Sequence, residues 1–142
     1  MSNRIISEIL NEPDAYFLLQ EAHAILNREK EKRIQFYNDI TEQEKAEFIN
    51  GEIVVHSPVK KRHNVASGLL YRLLSIYSGK NNLGFVGIEK ILITLTRNDY
   101  EPDICFFRQD KAVNFTEDQI LFPAPDLVIE ILSDSTESRD RG

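Results

Sequence analysis

Hydrophobic and polar positions change period along the chain, and the changes mark its elements. In residues 15–33, Phe17, Leu18, Ala22, Ile25 and Leu26 recur at helical spacing behind the start signal Asn11-Glu12-Pro13-Asp14. The mixed-charge run Glu29-Lys30-Glu31-Lys32-Arg33 reads as the solvated end of that helix. Thr41-Glu42-Gln43-Glu44 has the form of a capping box and predicts a second, short helix. From Phe48 the period shortens. Asn50-Gly51 stands between two apolar stretches, a hairpin signal that demands φ > 0 at both turn positions. Ser57-Pro58 ends the second strand. Residues 63–77 then return to helical spacing, with Ala66, Leu69, Leu70, Leu73, Leu74 and Tyr77 on one face, closed by Ser78-Gly79-Lys80-Asn81-Asn82.

Strand-like runs follow. Residues 85–96 are rich in Ile, Val, Leu and Thr, with a bend expected at Glu89-Lys90, and Arg97-Asn98-Asp99 reads as a turn. Residues 100–107 form the next strand, with Pro102 near its start, where a missing N–H is tolerable. Residues 114–122 are expected to form a short helix. Residues 126–132 are apolar on both parities apart from one carboxylate, the pattern of a central, doubly covered strand. Ser133-Asp134-Ser135-Thr136 suits the cap of a further helix. The sum is an α/β (α+β) layout, with a small mixed β-sheet flanked by helices, an N-terminal helical extension and an N-terminal β-hairpin.

Composition narrows the class. The chain has 142 residues, of which 42% are hydrophobic and 28% charged, as in a globular domain. Its net charge of −6 argues mildly against a protein that holds nucleic acid by bulk electrostatics. The single cysteine, Cys105, excludes an intrachain disulfide framework and a Cys-based zinc site within these residues. No apolar run approaches the ~18–20 residues that span a membrane, and residues 1–8 lack the apolar core of a secretory signal, so a cytoplasmic location is expected. There is no Gly-x-Gly-x-x-Gly, Walker loop or Gly-x-Ser-x-Gly elbow, and His23, His56 and His63 do not have zinc-motif spacing.

Two carboxylates stand out. Glu130 lies within Leu127-Val128-Ile129-Glu130-Ile131-Leu132, where an ionised group is costly unless it is paired or bound to a cation. Asp103 opens the apolar run Ile104-Cys105-Phe106-Phe107. Asp after Pro at a strand entry is by itself common turn chemistry. If the two strands are neighbours, the two acids converge on one point, and like charges so placed favour a proton or a cation between them. Hard oxygen ligands suit Mg²⁺, with Mn²⁺ as a substitute, and such an ion can assist attack on a phosphodiester.

These residues carry a resemblance. Glu-Pro-Asp (101–103), Pro-Asp-Leu-Val-Ile-Glu-Ile-Leu-Ser (125–133), Ser-Thr (135–136) and Arg-Asp-Arg-Gly (139–142) resemble the Uma-two family. So do Glu-Phe-Ile-Asn-Gly-Glu-Ile (47–53) and Ser-Pro-Val-Lys-Lys-Arg-His-Asn (57–64). The resemblance covers residues 41–142 and implies a PD-(D/E)XK, restriction-endonuclease-like nuclease domain there, preceded by the helical extension at 1–40. It implies that Asp103 and Glu130 are catalytic metal ligands for Mg²⁺, and that nucleic acid, in the first place DNA, is the partner. Related nucleases often act as dimers, which extends the expectation of a homodimer to this chain, although no stretch specifies an interface.

The motif's lysine is missing. Leu132 stands two residues after Glu130, no Lys follows Lys111, and Arg139 and Arg141 are the nearby cations; Arg is a poor proton-transfer group. The family resembles others whose lysine has moved to the following helix, so a chain truncated at its C-terminal end is the expectation. The alternative is a nuclease-fold binding or regulatory module that has lost cleavage. Other residues take supporting roles. Glu47 and Glu52 flank the hairpin, and the resemblance points one of them at the site. Glu89 is a further acid if its strand runs beside Asp103. His63, at the start of a helix, is a candidate phosphate contact, the alternative being a surface helix start. Lys60, Lys61 and Arg62 are the candidate contacts to a nucleic-acid backbone. Placed before a helix they oppose its dipole, which favours an anionic partner.

Overall fold

The computed structural model describes residues 2–41 and 44–132. In chain order the elements are α1 (Ser2–Leu10), α2 (Ala15–Asp39), β1 (Ala46–Ile49), β2 (Glu52–Val55), α3 (Lys61–Asn81), β3 (Gly84–Ile88), β4 (Leu92–Thr94), β5 (Asp99–Tyr100), β6 (Ile104–Arg108), α4 (Gln109–Ala112), β7 (Leu121–Phe122) and β8 (Leu127–Ile129). The fold is α/β with mixed pairing, as expected, but the strands form two sheets rather than one. The larger runs β2-β1-β5-β4-β7, antiparallel except for the parallel β4–β7 pair, and the smaller runs β3-β6-β8.

The hairpin forms as its sequence dictates. Asn50 and Gly51 take φ of 51° and 84°, and Ile49 pairs with Glu52 across the turn. A side chain at Gly51 would meet Glu29 of α2 as well as the unfavourable φ. Alternation along β1 then sorts its residues. Ala46 and Phe48 enter a core with Phe36 and Leu92, while Glu47, equally buried, faces the other way. A second core gathers Ile93, Cys105, Phe107 and Phe122, with Phe115 edge-on to Phe107 and Phe122 at 5.0 and 5.2 Å. Burial there pushes the Cys105 thiol up to about 11, which leaves it an inert core residue.

Several local expectations give way to tertiary contacts. The helix expected to end near residue 33 runs on to Asp39, because Phe36 packs under β1. In the charge run at 29–33, Lys30, Glu31 and Lys32 are exposed as expected, but Glu29 and Arg33 dock against the sheet. Arg33 grips Asp99 through Nε–Oδ2 at 2.7 Å and Nη2–Oδ1 at 2.6 Å, and Glu29 pairs with Arg97 at 2.7 Å. By contrast the predicted inner face of this helix is solvent-exposed at Phe17, Leu18, Ile25 and Leu26. No helix starts at Thr41: Thr41 and Glu44 are non-helical and β1 begins at Ala46, with residues 42–43 outside the described residues. The α3 face is likewise open at Leu69, Leu73 and Tyr77.

The long strands break where the chain changes sheet. Residues 85–96 split at Glu89, whose φ is 49°, into β3 and β4. Residues 100–107 split at Glu101-Pro102-Asp103 into β5 and β6, because Pro102 has no N–H to continue a ladder. The helix expected at 114–122 does not form: α4 ends before it at Ala112, and residues 113–120 are turn and irregular backbone leading into β7. β8 pairs with β6 alone among the described residues, and Leu127 and Val128 are exposed, so it is an edge strand there and not a doubly covered one. The cap expected at residues 133–136 lies outside the described residues. No described helix is long and apolar enough to cross a membrane.

Candidate functional site

The passage from β5 to β6 frees backbone groups that no sheet satisfies, and carboxylates take them. The Glu101 N–H donates to Glu47 Oε1 at 3.0 Å, and in return the Ala46 N–H donates to Glu101 Oε2 at 3.0 Å. The Asp103 N–H points to Glu130 Oε2 at 3.4 Å. Four acids, Glu47, Glu101, Asp103 and Glu130, are thereby drawn to the junction of the two sheets, the first three buried.

Strand register explains the pairing of Asp103 with Glu130. β6 and β8 are antiparallel, with Ile104 opposite Ile129 and Cys105 opposite Val128. One step further along the same ladder sets Asp103 opposite Glu130. Their approach is strengthened from the far side, where the Ile131 N–H donates to Asp103 Oδ2 at 2.8 Å. Glu130 lies just past β8 and is exposed as a residue, contrary to the sealed position its apolar neighbours imply. Its carboxyl end nevertheless leaves water to meet Asp103. Loss of hydration, then the Asp103 charge, push it up to about 7. Glu101 is also raised, chiefly by burial.

His63 is a buried partner of Asp103, not a surface helix start. It stands in the first turn of α3 with Nε2 3.0 Å from Asp103 Oδ2. A carboxylate only accepts, so Nε2 carries the proton of that bond. One turn on, Ser67 Oγ donates to the His63 carbonyl at 3.0 Å and lies 3.5 Å from Nδ1, fixing the ring. The preceding Lys60, Lys61 and Arg62 are exposed on the surface beside it. Of the hairpin acids, Glu47 belongs to the cluster, with His56 Nε2 2.9 Å from its Oε2, and Glu52 is exposed away from it. Glu89 meets Asp103 through its backbone N–H, which donates to Asp103 O at 2.9 Å.

Lys45 escaped the sequence reading. Its Nζ lies 3.2 Å from Asp103 Oδ1. The signal was the two-residue period itself, which puts positions 45 and 47 on one side of a strand whose other side is core. Asp126 was missed as well. It accepts from the Arg108 N–H and Lys111 Nζ, each at 2.9 Å, which hold its carboxyl below the usual range and fix the start of β8.

The donor chemistry suits a hard divalent cation: facing carboxylates, one of them raised by burial and then by its neighbour's charge, and a lysine ammonium already drawn in. The arrangement is not yet a finished cage. Among the described residues no group of three or more His, Cys, Asp or Glu stands ready to hold a metal ion.

The family model Uma2, described as "Putative restriction endonuclease", matches residues 31–142. The chain belongs to that family. It is also similar in structure to a solved protein from Anabaena variabilis ATCC 29413, described as "a putative nuclease belonging to DUF820", with 18% identity and a TM-score of 0.63. The similarity covers 74% of this chain and 62% of that one, so the chain spans less than two thirds of its neighbour's length. A likeness at this identity extends to the fold. No curated protein matches the chain.

Proposed function

We propose that this chain is a metal-dependent endonuclease of the PD-(D/E)XK kind, hydrolysing phosphodiester bonds in DNA. The observation that carries the reading is the Asp103–Glu130 pair, forced together at the sheet junction with the Glu130 carboxyl raised to about 7. Acids brought together away from water are a poor structural choice and a good cation site.

In this reading Asp103 and Glu130 hold Mg²⁺ or Mn²⁺. When bound, that ion supplies positive charge against the build-up on the phosphate and makes water a better nucleophile. His63 and the Ile131 N–H fix Asp103 Oδ2, so the ligand cannot swing away. Glu47 holds the Glu101 N–H and so braces the segment from which Asp103 projects. Lys60, Lys61 and Arg62, exposed before His63, meet the DNA backbone. Their charges oppose the α3 dipole, an arrangement that a phosphate at the helix start relieves.

The test is nicking of supercoiled plasmid with Mg²⁺ or Mn²⁺ by wild type, Asp103→Ala and Glu130→Ala. Nicking lost in both variants supports the proposal, and nicking that survives in either contradicts the assignment. A protein that responds to the metal but never nicks is the non-cleaving module.

A further inference from the structure

The hairpin that carries Glu47 into the acid cluster also carries a cation. Lys45 precedes β1 by one residue, and its carbonyl accepts the His56 N–H at 2.9 Å, which extends the β1–β2 ladder past the Ala46–Val55 pair. The backbone at Lys45 is thus fixed, and alternation places its side chain with Glu47, opposite Ala46 and Phe48. Its ammonium reaches Asp103 Oδ1 at 3.2 Å, with 21% of the lysine side chain and 7% of the aspartate exposed. Its charge also acts on Glu101 and Glu130, lowering both against the burial that raises them.

The two oxygens of Asp103 are held differently. Oδ2 has two partners on separate elements, His63 Nε2 and the Ile131 N–H. Oδ1 has Lys45, a compact charge on a flexible four-carbon stem. An arriving cation can displace that stem without moving backbone, whereas Oδ2 is locked from both sides. The ammonium and a divalent cation cannot share Oδ1 without strong repulsion.

We propose that Lys45 is the resident counter-ion of this site: it holds Asp103 Oδ1 in the metal-free protein and yields that oxygen to an incoming divalent cation, so that it sets the metal affinity. This rests on the reading of Asp103 and Glu130 as metal ligands. Lys45 is a positioning residue that acts through Asp103, and it keeps the acid cluster stable while no metal is bound.

The test is calorimetric titration with Mn²⁺ of wild type, Lys45→Met, Lys45→Gln, Lys45→Arg and Asp103→Asn, each checked for folding by circular dichroism. Removing the competing charge is expected to tighten Mn²⁺ binding about tenfold in Lys45→Met and Lys45→Gln. Lys45→Arg, which keeps the charge, stays within about threefold of wild type, and Asp103→Asn does not bind. Affinity that is unchanged or weaker in the Met and Gln variants, with wild type still binding, overturns the counter-ion role and leaves the metal reading standing. Absence of binding in wild type and all Lys45 variants overturns both. A purely structural lysine would lower the melting temperature in Met and Gln without changing the Mn²⁺ affinity.

Discussion

Asp99 and Asp103 are both buried and lie on either side of Pro102, yet their charges are met in opposite ways. Asp99 receives a two-pronged Arg33 and the Tyr37 hydroxyl at 2.8 Å, and the same guanidinium also donates to the carbonyls of Leu95, Thr96 and Asn98. One charge is matched by one charge, every strong acceptor is used, and α2 is clamped onto the β4–β5 turn. Asp103 faces more acids than cations. Lys45 and His63 approach it, but Glu130 is pushed up to about 7 beside it, and Glu47 and Glu101 complete the cluster. The first region is finished by the protein itself. In the proposed reading the second takes up a further positive charge, and this contrast separates a structural carboxylate from a candidate metal ligand better than burial alone.

The largest effect that would break the comparison is at the finished pair. Asp99→Ala leaves the half-buried Arg33 with only backbone carbonyls as partners and is expected to cost about 3 kcal/mol in urea denaturation, because loss of one member of a largely desolvated pair strands the other's charge. Its Mn²⁺ response, measured on whatever fraction remains folded, should be unchanged. Asp103→Asn should do the reverse, abolishing the Mn²⁺ response while altering stability by about 1 kcal/mol or less, since it also relieves Glu130.

The pH dependence sharpens the contrast. The folded Glu130 value of about 7 stands above its ordinary 4.5, so the folded state keeps a proton that the unfolded chain gives up between those values. That contribution is fully present below 4.5 and is lost as pH rises through about 7. Glu130→Gln should remove the decline and stabilise the metal-free protein above that range by about 1 kcal/mol, a figure discounted for the water that reaches this residue. Denaturation series with and without the substitution check it; identical pH slopes would show that the charge conflict is absent. The smallest effect is expected at the hairpin's other acid: Glu52→Gln, exposed, should stay within about 0.5 kcal/mol of wild type and leave the Mn²⁺ response intact.

What could be read from the sequence followed from local physics. Asn50-Gly51 declared its turn because few other pairs tolerate φ > 0 twice. Asp103 and Glu130 were found because an acid in an apolar run is conspicuous, and the β6–β8 register then puts them opposite each other. What escaped depended on distant partners. Nothing near Arg33 signals Asp99, 66 residues away. Pro102 looked like a tolerable strand entry, when it marks the point where the chain leaves one sheet for another. Lys45 was legible in principle from the alternation with Glu47, but a lysine beside a strand looks like any solvated charge until the strand's other face is known to be core. The resemblance puts a lysine after Glu130, whereas the cation that meets Asp103 comes from the residue just before the hairpin.

The central claim is that the junction of the two sheets holds an acid cluster short of one cation. Thermal denaturation of wild type and Asp103→Asn, with and without Mn²⁺, tests it most directly. The account predicts that Mn²⁺ raises the melting temperature of wild type and leaves that of Asp103→Asn unmoved. An equal rise in both proteins, or none in wild type, would contradict it.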